Sequence, residues 1–386
     1  MNKYNKIVCP YCFEESMIME LKFKCTNRRC TNDSVKIFDI GKNNRYNDNF
    51  SEKCPDCGED SYRVICPNCK NPLPESTLKG KDMIISVIGA RDAGKSNYIG
   101  VLIHELMTRV MPAFGGAFMP FGTTLDEYNR RFGNSLYKVN VKIPQTDSAL
   151  NHNVNPLPLI FTLSFTYKRW VLSDTIDSYT FVFYDTAGED LNDFDTASTV
   201  AKYICISKGI IFLLDPLQNE KVVSQLDPAE VANATTGDTT QNVRKATEIM
   251  NDASALIRND RKIPTSKKIN IPVAVVFSKY DVIDSIVPDG STLKNSSPHC
   301  NRGYFSVTDG NIVNTEVEGL LNAWEDTELI QYINVNYNKH AFFCSSAFGL
   351  HNNANKEGKI NAPNPHRIED AFLWILAQNG VIPSKE

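Results

Sequence analysis

The stretch 83-MIISVIGARDAGKSNYIGVLIHEL-106 permits few folds. Residues 83–88 form an unbroken apolar run, the pattern of a strand buried on both faces in a parallel sheet. After the turn, Tyr98, Leu102, Leu106 and Val110 recur every four residues with Ile99 and Ile103 beside them, which predicts an amphipathic helix. The turn itself, GARDAGKS, matches G-x-x-x-x-G-K-[ST] at Gly89, Gly94, Lys95 and Ser96. A loop between strand and helix aims successive N–H groups, and the positive end of the helix, at an oligophosphate. Lys95 is expected to reach the β- and γ-phosphates and the Ser96 hydroxyl to ligate magnesium. Asp92, Ala93 and Asn97 complete the expected cradle.

Such a site needs a second strand that ends in an acid. The fragment 180-TFVFYD-185 supplies one, so Asp185 is expected to position magnesium through a water. It continues as 186-TAGED-190, where the Gly188 N–H would face the terminal phosphate and lose its partner after hydrolysis. Further strands are predicted at 159-LIFTLSF-165, 209-GIIFLLD-215, 271-IPVAVVF-277 and 341-AFFC-344. About six strands alternating with helices imply an α/β fold, a mostly parallel sheet with helices on both faces. The segment 367-RIEDAFLWILAQ-378 is expected to close that sheet as a helix.

Two of these strands run into 278-SKYD-281 and 345-SSAF-348. Taken with GARDAGKS and DTAGE, in this order over about 300 residues, the series resembles that of a Ras-like, translation-factor-type (TRAFAC) P-loop GTPase. The resemblance implies GTP or GDP as ligand. Asp281 would pair with the guanine N1 and amino group, Lys279 would lie along the base, and the Ala347 amide would meet O6 with Ser346 in support. Together with the cysteine-rich opening CPYCFE, the chain resembles the double-GTPase group of bacteria, whose members are proposed to act in conflict or defence systems, some with a second GTPase as partner.

Three positions depart from that pattern. Ser278 stands where Asn usually braces the phosphate loop, although Asp281 still favours guanine over adenine. Glu189 stands where the water-orienting Gln is usual, and a carboxylate about 5 Å from a γ-phosphate charge is repelled by roughly 3 kcal/mol at a dielectric of 20. It would turn to solvent, be neutralised by a partner's cation, or serve as a base; the first is the reading adopted. Arg91 fills a loop position usually held by Gly, and would supply positive charge in cis or lie outward. Intrinsic turnover is therefore expected to be slow, on the order of 10⁻³ s⁻¹ or below, and accelerated by a partner. For the threonine that closes on the magnesium, Thr146 in 143-IPQTDS-148 is the first choice, with Thr123 and Thr124 as rivals.

Eight of the eleven cysteines fall before residue 70, as 9-CPYC-12, 25-CTNRRC-30, 54-CPDCG-58 and 66-CPNC-69. Two knuckles of this spacing complete a tetrahedron around zinc, and four thiolates leave no open position, so two structural zinc sites are predicted. Taken in chain order, Cys9, Cys12, Cys25 and Cys30 make one, and Cys54, Cys57, Cys66 and Cys69 the other. Redox-active or disulfide-paired cysteines are the rival reading. The expected organisation is a tandem zinc-ribbon module at 1–70, a linker at 71-NPLPESTLKG-80 and a GTPase domain at 81–386, with insertions near 110–158, 217–242 and 285–312.

Residues 1–80 carry a formal +2, which eight thiolates on two zinc ions turn into about −2. That argues against a nucleic-acid backbone as partner and for a protein. The whole chain is at −4. It has no apolar run of the roughly 18–20 residues a membrane span needs, and no secretory h-region, so a cytoplasmic protein is expected. The leading reading is a GTP-controlled switch whose zinc module docks a partner. The rivals are a nucleotide-bound scaffold with vestigial hydrolysis and a zinc-ribbon NTPase that binds nucleic acid.

Overall fold

The computed structural model describes residues 5–30, 37–39, 50–90, 92–143, 157–167, 175–185, 194–234, 244–350 and 359–386. Its central sheet comprises β1 (Asp82–Gly89), β2 (Gly116–Pro120), β3 (Leu159–Tyr167), β4 (Thr175–Phe183), β5 (Gly209–Leu214), β6 (Val273–Phe277) and β7 (His340–Cys344). The spatial order is β7-β6-β5-β1-β4-β3-β2. β4, β1, β5, β6 and β7 run parallel to one another, whereas β3 is antiparallel to both β4 and β2. The parallel strands are the apolar runs of the sequence, and every residue of β5 and β6 is buried. β2 is the strand the sequence pattern does not announce, being five residues set between glycine and proline.

The main helices are α1 (Lys95–Glu105), α2 (Phe194–Ile206), α3 (Ala246–Asp260), α4 (Val307–Ala323), α5 (Thr327–Asn336) and α6 (Asp370–Gln378). α6 lies on the face where Phe181 and Phe183 point, with Phe372 packed 5.6 Å and 6.0 Å from them. Phe118 and Phe161 extend that aromatic stack toward the sheet edge. α1 joins α6 there through the Tyr98 hydroxyl, which donates to the Ile368 carbonyl. Tyr184, next in alternation, faces the other way and meets Tyr203 of α2. The Tyr203 hydroxyl donates to the Ile85 carbonyl at 2.5 Å and so ties α2 to β1. Helices thus cover both faces.

Between α1 and β3 the chain forms β2, a short helix Thr124–Tyr128 and a wider-wound helix Asn129–Val139. The last lies directly on α1. A Cβ added at Gly100 would sit 2.9 Å from Leu136 and 3.0 Å from Phe132, so the side chains of the second helix rest directly on the α1 backbone at that point.

The N-terminal module consists of the hairpin Lys6–Val8/Glu15–Met17, a three-strand sheet of Ile37–Asp39, Lys22–Lys24 and Arg63–Ile65, and the hairpin Glu52–Lys53/Asp60–Ser61. Its cysteines gather as Cys9, Cys12, Cys66 and Cys69, and as Cys25, Cys30, Cys54 and Cys57. This corrects the chain-order grouping: the middle two knuckles pair inside the outer two. The reason is strand register. Lys22–Lys24 pairs antiparallel with Arg63–Ile65, Lys22 opposite Ile65 and Lys24 opposite Arg63. Cys25 therefore leaves the ladder at one end and Cys66 at the other, about 13 Å apart along the strands at roughly 3.3 Å per residue. The first hairpin arrives at the Cys66 end and the Cys54 hairpin at the Cys25 end.

The module is seated on the sheet. Phe13, just after the first knuckle, is buried between Tyr184 and Tyr203 at 5.8 Å and 5.4 Å. Glu14 pairs with Lys202 of α2. Within 71–80, residues Glu75–Leu78 form a helical turn, and Ser76 and Thr77 hydrogen-bond to Thr180 of β4. No helix among the described residues is long and apolar enough to cross a membrane.

Candidate functional site

Three of the knuckles share one backbone form. The first cysteine's carbonyl accepts from the residue four on, at Phe13, Gly58 and Lys70, and its N–H donates five on, to Glu14, Glu59 and Asn71. Phe13, Gly58 and Lys70 all have positive φ, between 58° and 74°. This turn directs both thiols of a pair to the same side. Across the pairs, Cys9–Cys69, Cys12–Cys66, Cys25–Cys57 and Cys30–Cys54 sulfurs lie 3.6–3.9 Å apart. A tetrahedron with metal–sulfur arms of about 2.3 Å has edges of about 3.8 Å, so both groups fit a zinc ion. The Tyr11 N–H and the Asn71 amide each lie 3.4 Å from a sulfur of the first group, placed to donate to thiolate. All eleven cysteines are free thiols.

The chemistry-bearing turns of the body lie at the carboxyl ends of adjacent parallel strands. Gly89 ends β1 beside Leu213, and a Cβ there would meet the Leu213 carbonyl at 2.5 Å, so only glycine lets the loop leave the sheet at this point. Asp92 and Gly94 are left-handed, with φ 61° and 76°, and Gly94 caps α1. Ala93 is fully buried beneath the turn. Lys95 folds back to donate to the Gly89 and Ala90 carbonyls at 3.0 Å and 2.8 Å, closing its ammonium over the loop. Ser96 follows in the first turn of α1, near Asp185. Asn97 faces another way: its amide oxygen accepts from the Ile143 N–H at 3.0 Å and pins the chain beyond Asn129–Val139.

Asp185 lies just past β4, 4% exposed. Burial pushes its carboxyl up, opposed by Arg131, Ser96 and Lys95. Arg131 approaches to 3.5 Å from the Asp185 Oδ2, while Oδ1 is buried without a hydrogen-bond partner. A carboxylate oxygen left bare beside a hydroxyl suits a hard, oxygen-seeking cation, and Ser96 with Asp185 would hold magnesium there. Asp190 and the expected Arg91, Thr146, Gly188 and Glu189 lie outside the described residues. Of the rivals to Thr146, Thr124 is committed elsewhere, its hydroxyl accepting from the Ile160 N–H at 3.1 Å.

Toward β6 and β7, Lys279 has φ 54° and donates to Asp215 at 2.6 Å. Asp215 ends β5 and also accepts from the Leu217 N–H, so the lysine is held from the neighbouring strand. The Ser278 hydroxyl donates to the Leu214 carbonyl at 2.8 Å, bracing β5. Burial raises the Asp281 carboxyl, countered by the Ser346 hydroxyl, its own amide, Lys142 and Lys279. Ser346 also accepts from the Gly349 N–H at 2.9 Å, and Ala347 lies half-buried beside it. The Lys142 ammonium lies 5.3 Å from the Phe348 ring centroid, a cation–π distance. Lys142 is itself held down by burial.

Arg131, Asp215 and Lys142 are site neighbours that sequence reasoning passed over. Asp215 carried the signal already read at Asp185, an acid closing an apolar run. Arg131 and Lys142 carried none, since a charge in a long insertion reads as surface. A third group, His299, Asp309 and Asp370, also comes together. There Arg367 bridges the two carboxylates at 3.0 Å and 2.7 Å, an internal ion cluster that already has its cation.

No protein-family model matches the chain. It is 27% identical over 274 residues to a protein of Mycolicibacterium smegmatis described as a putative ESX-1 scaffolding and assembly protein, SaeC, covering 67% of this chain. The match spans 64% of that relative's length. Among solved structures the chain is similar to the S. cerevisiae Ski7 GTPase-like domain bound to GDP and inorganic phosphate, at 11% identity. That likeness covers 78% of this chain and 50% of the other with a TM-score of 0.30, too low to carry an argument.

Proposed function

We propose that this protein binds GTP and hydrolyses it slowly with magnesium, and that the bound state controls docking of a protein partner by the zinc module. The observation that carries this reading is convergence: the Gly89–Ser96 loop, Asp185, the Asp215–Lys279 pair and the 345–348 turn follow β1, β4, β5, β6 and β7 at one end of the sheet. In open α/β sheets that is where ligands bind. Gly89, Asp92, Ala93, Gly94, Lys95 and Ser96 would cradle the phosphates, with Ser96 and Asp185 at the magnesium. Thr146, Gly188, Glu189 and Arg91 belong to the same reading on sequence alone. Lys279, Asp281, Ser346 and Ala347 would receive guanine, with Ser278 stiffening the strand behind them. Asn97 acts one step back, holding Ile143. In this reading 1–70 is the zinc module, 71–80 its joint and 81–386 the GTPase body with its three insertions.

The test is nucleotide binding followed by single-turnover phosphate release. Wild type is expected to bind GTP and GDP over ATP, Asp281→Ala to lose base selectivity, and Asp185→Ala to lose magnesium-dependent hydrolysis while retaining guanine preference. Equal affinity for ATP and GTP in wild type would end the guanine assignment.

A second reading is favoured by the relative's description as a scaffolding and assembly protein. Here nucleotide holds an assembly together and hydrolysis is vestigial. Binding without phosphate release, even with a partner present, would select it. The defence setting implied by the double-GTPase resemblance belongs to the same proposal and is tested by identifying what the zinc module captures.

A further inference from the structure

Arg131 is not part of the motif series, yet it reaches the centre of the proposed site. It comes from the Asn129–Val139 helix, which lies hard against α1 at Gly100. Its side chain is 12% exposed and that of Asp185 5%, so the pair is largely withdrawn from water. One guanidinium nitrogen lies 3.5 Å from Asp185 Oδ2 and another donates to the Leu157 carbonyl at 3.1 Å. The guanidinium is therefore held from two sides, by the acid at the end of β4 and by the backbone just before β3.

The position matters because of what Asp185 lacks. Its second oxygen is buried and partner-free, and the Lys95 ammonium is engaged with the Gly89 and Ala90 carbonyls. Arg131 is the cation in salt-bridge contact with this carboxylate among the described residues. A carboxylate bound to guanidinium is a poorer ligand for a divalent ion, since both compete for the same negative charge.

The geometry points to Arg131 as a positioning residue of this site: it holds Asp185 in the nucleotide-free protein and releases it when a magnesium–nucleoside triphosphate is loaded. This rests on the proposed nucleotide reading. Bond counts balance in the exchange, since one charge-assisted contact to Asp185 is given up and one to the cation is made. Arg131 is then free to turn to phosphate oxygen, to which a planar guanidinium is well matched.

The experiment compares wild type, Arg131→Gln, Arg131→Lys, Asp185→Asn and Arg131→Gln/Asp185→Asn. The first readout is the melting temperature of nucleotide-free protein without magnesium. Arg131→Gln is expected to melt several degrees lower because it leaves a buried charge unpaired, and the double variant to recover most of that loss. The second readout is binding of a fluorescent GTP analogue against magnesium concentration. Arg131→Gln is expected to need roughly tenfold less magnesium for half-maximal binding, with Arg131→Lys between it and wild type. An unchanged magnesium midpoint in Arg131→Gln, with wild-type binding intact, overturns the proposal. So does a double variant no more stable than Arg131→Gln, since Arg131 would then act by packing alone. Failure of wild type to bind the analogue at any magnesium concentration is a separate outcome: it refutes the nucleotide reading, and the positioning role with it.

Discussion

The N-terminal module and the sheet body reach order by different chemistry. In the body, strands of five to nine residues stack phenylalanines across the sheet, and apolar area removed from water supplies the stability. In the module the strands are two or three residues long, and five of its fourteen described core residues are cysteines. A core that small offsets little of the entropy of ordering its chain, and metal–sulfur bonds at the two four-cysteine groups would supply the difference. The difference teaches where each region is vulnerable: the body to cavities, the module to changes at its two four-cysteine groups.

The largest effect should come from the ions. Cys12→Ser with Cys69→Ser strikes one group and should lower bound zinc from two ions to one, measured by metal analysis. Had the knuckles paired in chain order, the same double change would damage both. Strong chelation should open residues 1–70 to protease while the body's melting is retained; a body that unfolds with the metal would show that the two regions are one cooperative unit. Zinc-dependent folding of small domains is worth on the order of 10 kcal/mol.

Next in size is the seam. Phe212→Ala, inside the sheet, should cost about 3–5 kcal/mol in denaturant unfolding. Phe13→Ala should cost less, about 1–3 kcal/mol, because water can enter between module and body, and should speed amide exchange near Tyr184. Equal losses would mean the seam is packed as tightly as the core.

The smallest effect concerns Asp82, at the start of β1 beside Thr77 of the joint. Burial pushes its carboxyl up to about 7, with Lys208 opposing. The folded protein keeps this proton where the unfolded chain, near pH 4, has released it. Stability from this group is therefore greatest at low pH, falls as pH rises from about 4 to about 7, and levels off above. Asp82→Asn should flatten that slope and add about 1 kcal/mol at pH 8, read from denaturant midpoints. An unchanged slope would reassign the pH dependence to other buried acids.

What could be read from sequence was local. The GARDAGKS turn, the acid after TFVFY and the knuckle spacings each concern residues within a dozen positions, and each lies in the element expected for it. Which knuckle meets which is decided by the register of Lys22 against Ile65, a pairing 43 residues apart that no spacing records. Asp215 was visible in the same way as Asp185, but its partner Lys279 lies past the end of another strand. Arg131 was invisible because its meaning depends on where an insertion folds back. Asn97 sits in the predicted turn yet points to Ile143, since position on a helix fixes the backbone but not the side chain's partner.

The bare contact at Gly100 has a remote consequence. Leu136 and Phe132 rest where a methyl group would stand, and Arg131 is the neighbour of Phe132. A shim of a single carbon at position 100 would lift the overlying helix and shorten the reach of the guanidinium toward the acid. The span of that arm is thus calibrated by hydrogen in place of carbon, at a residue with no chemistry of its own.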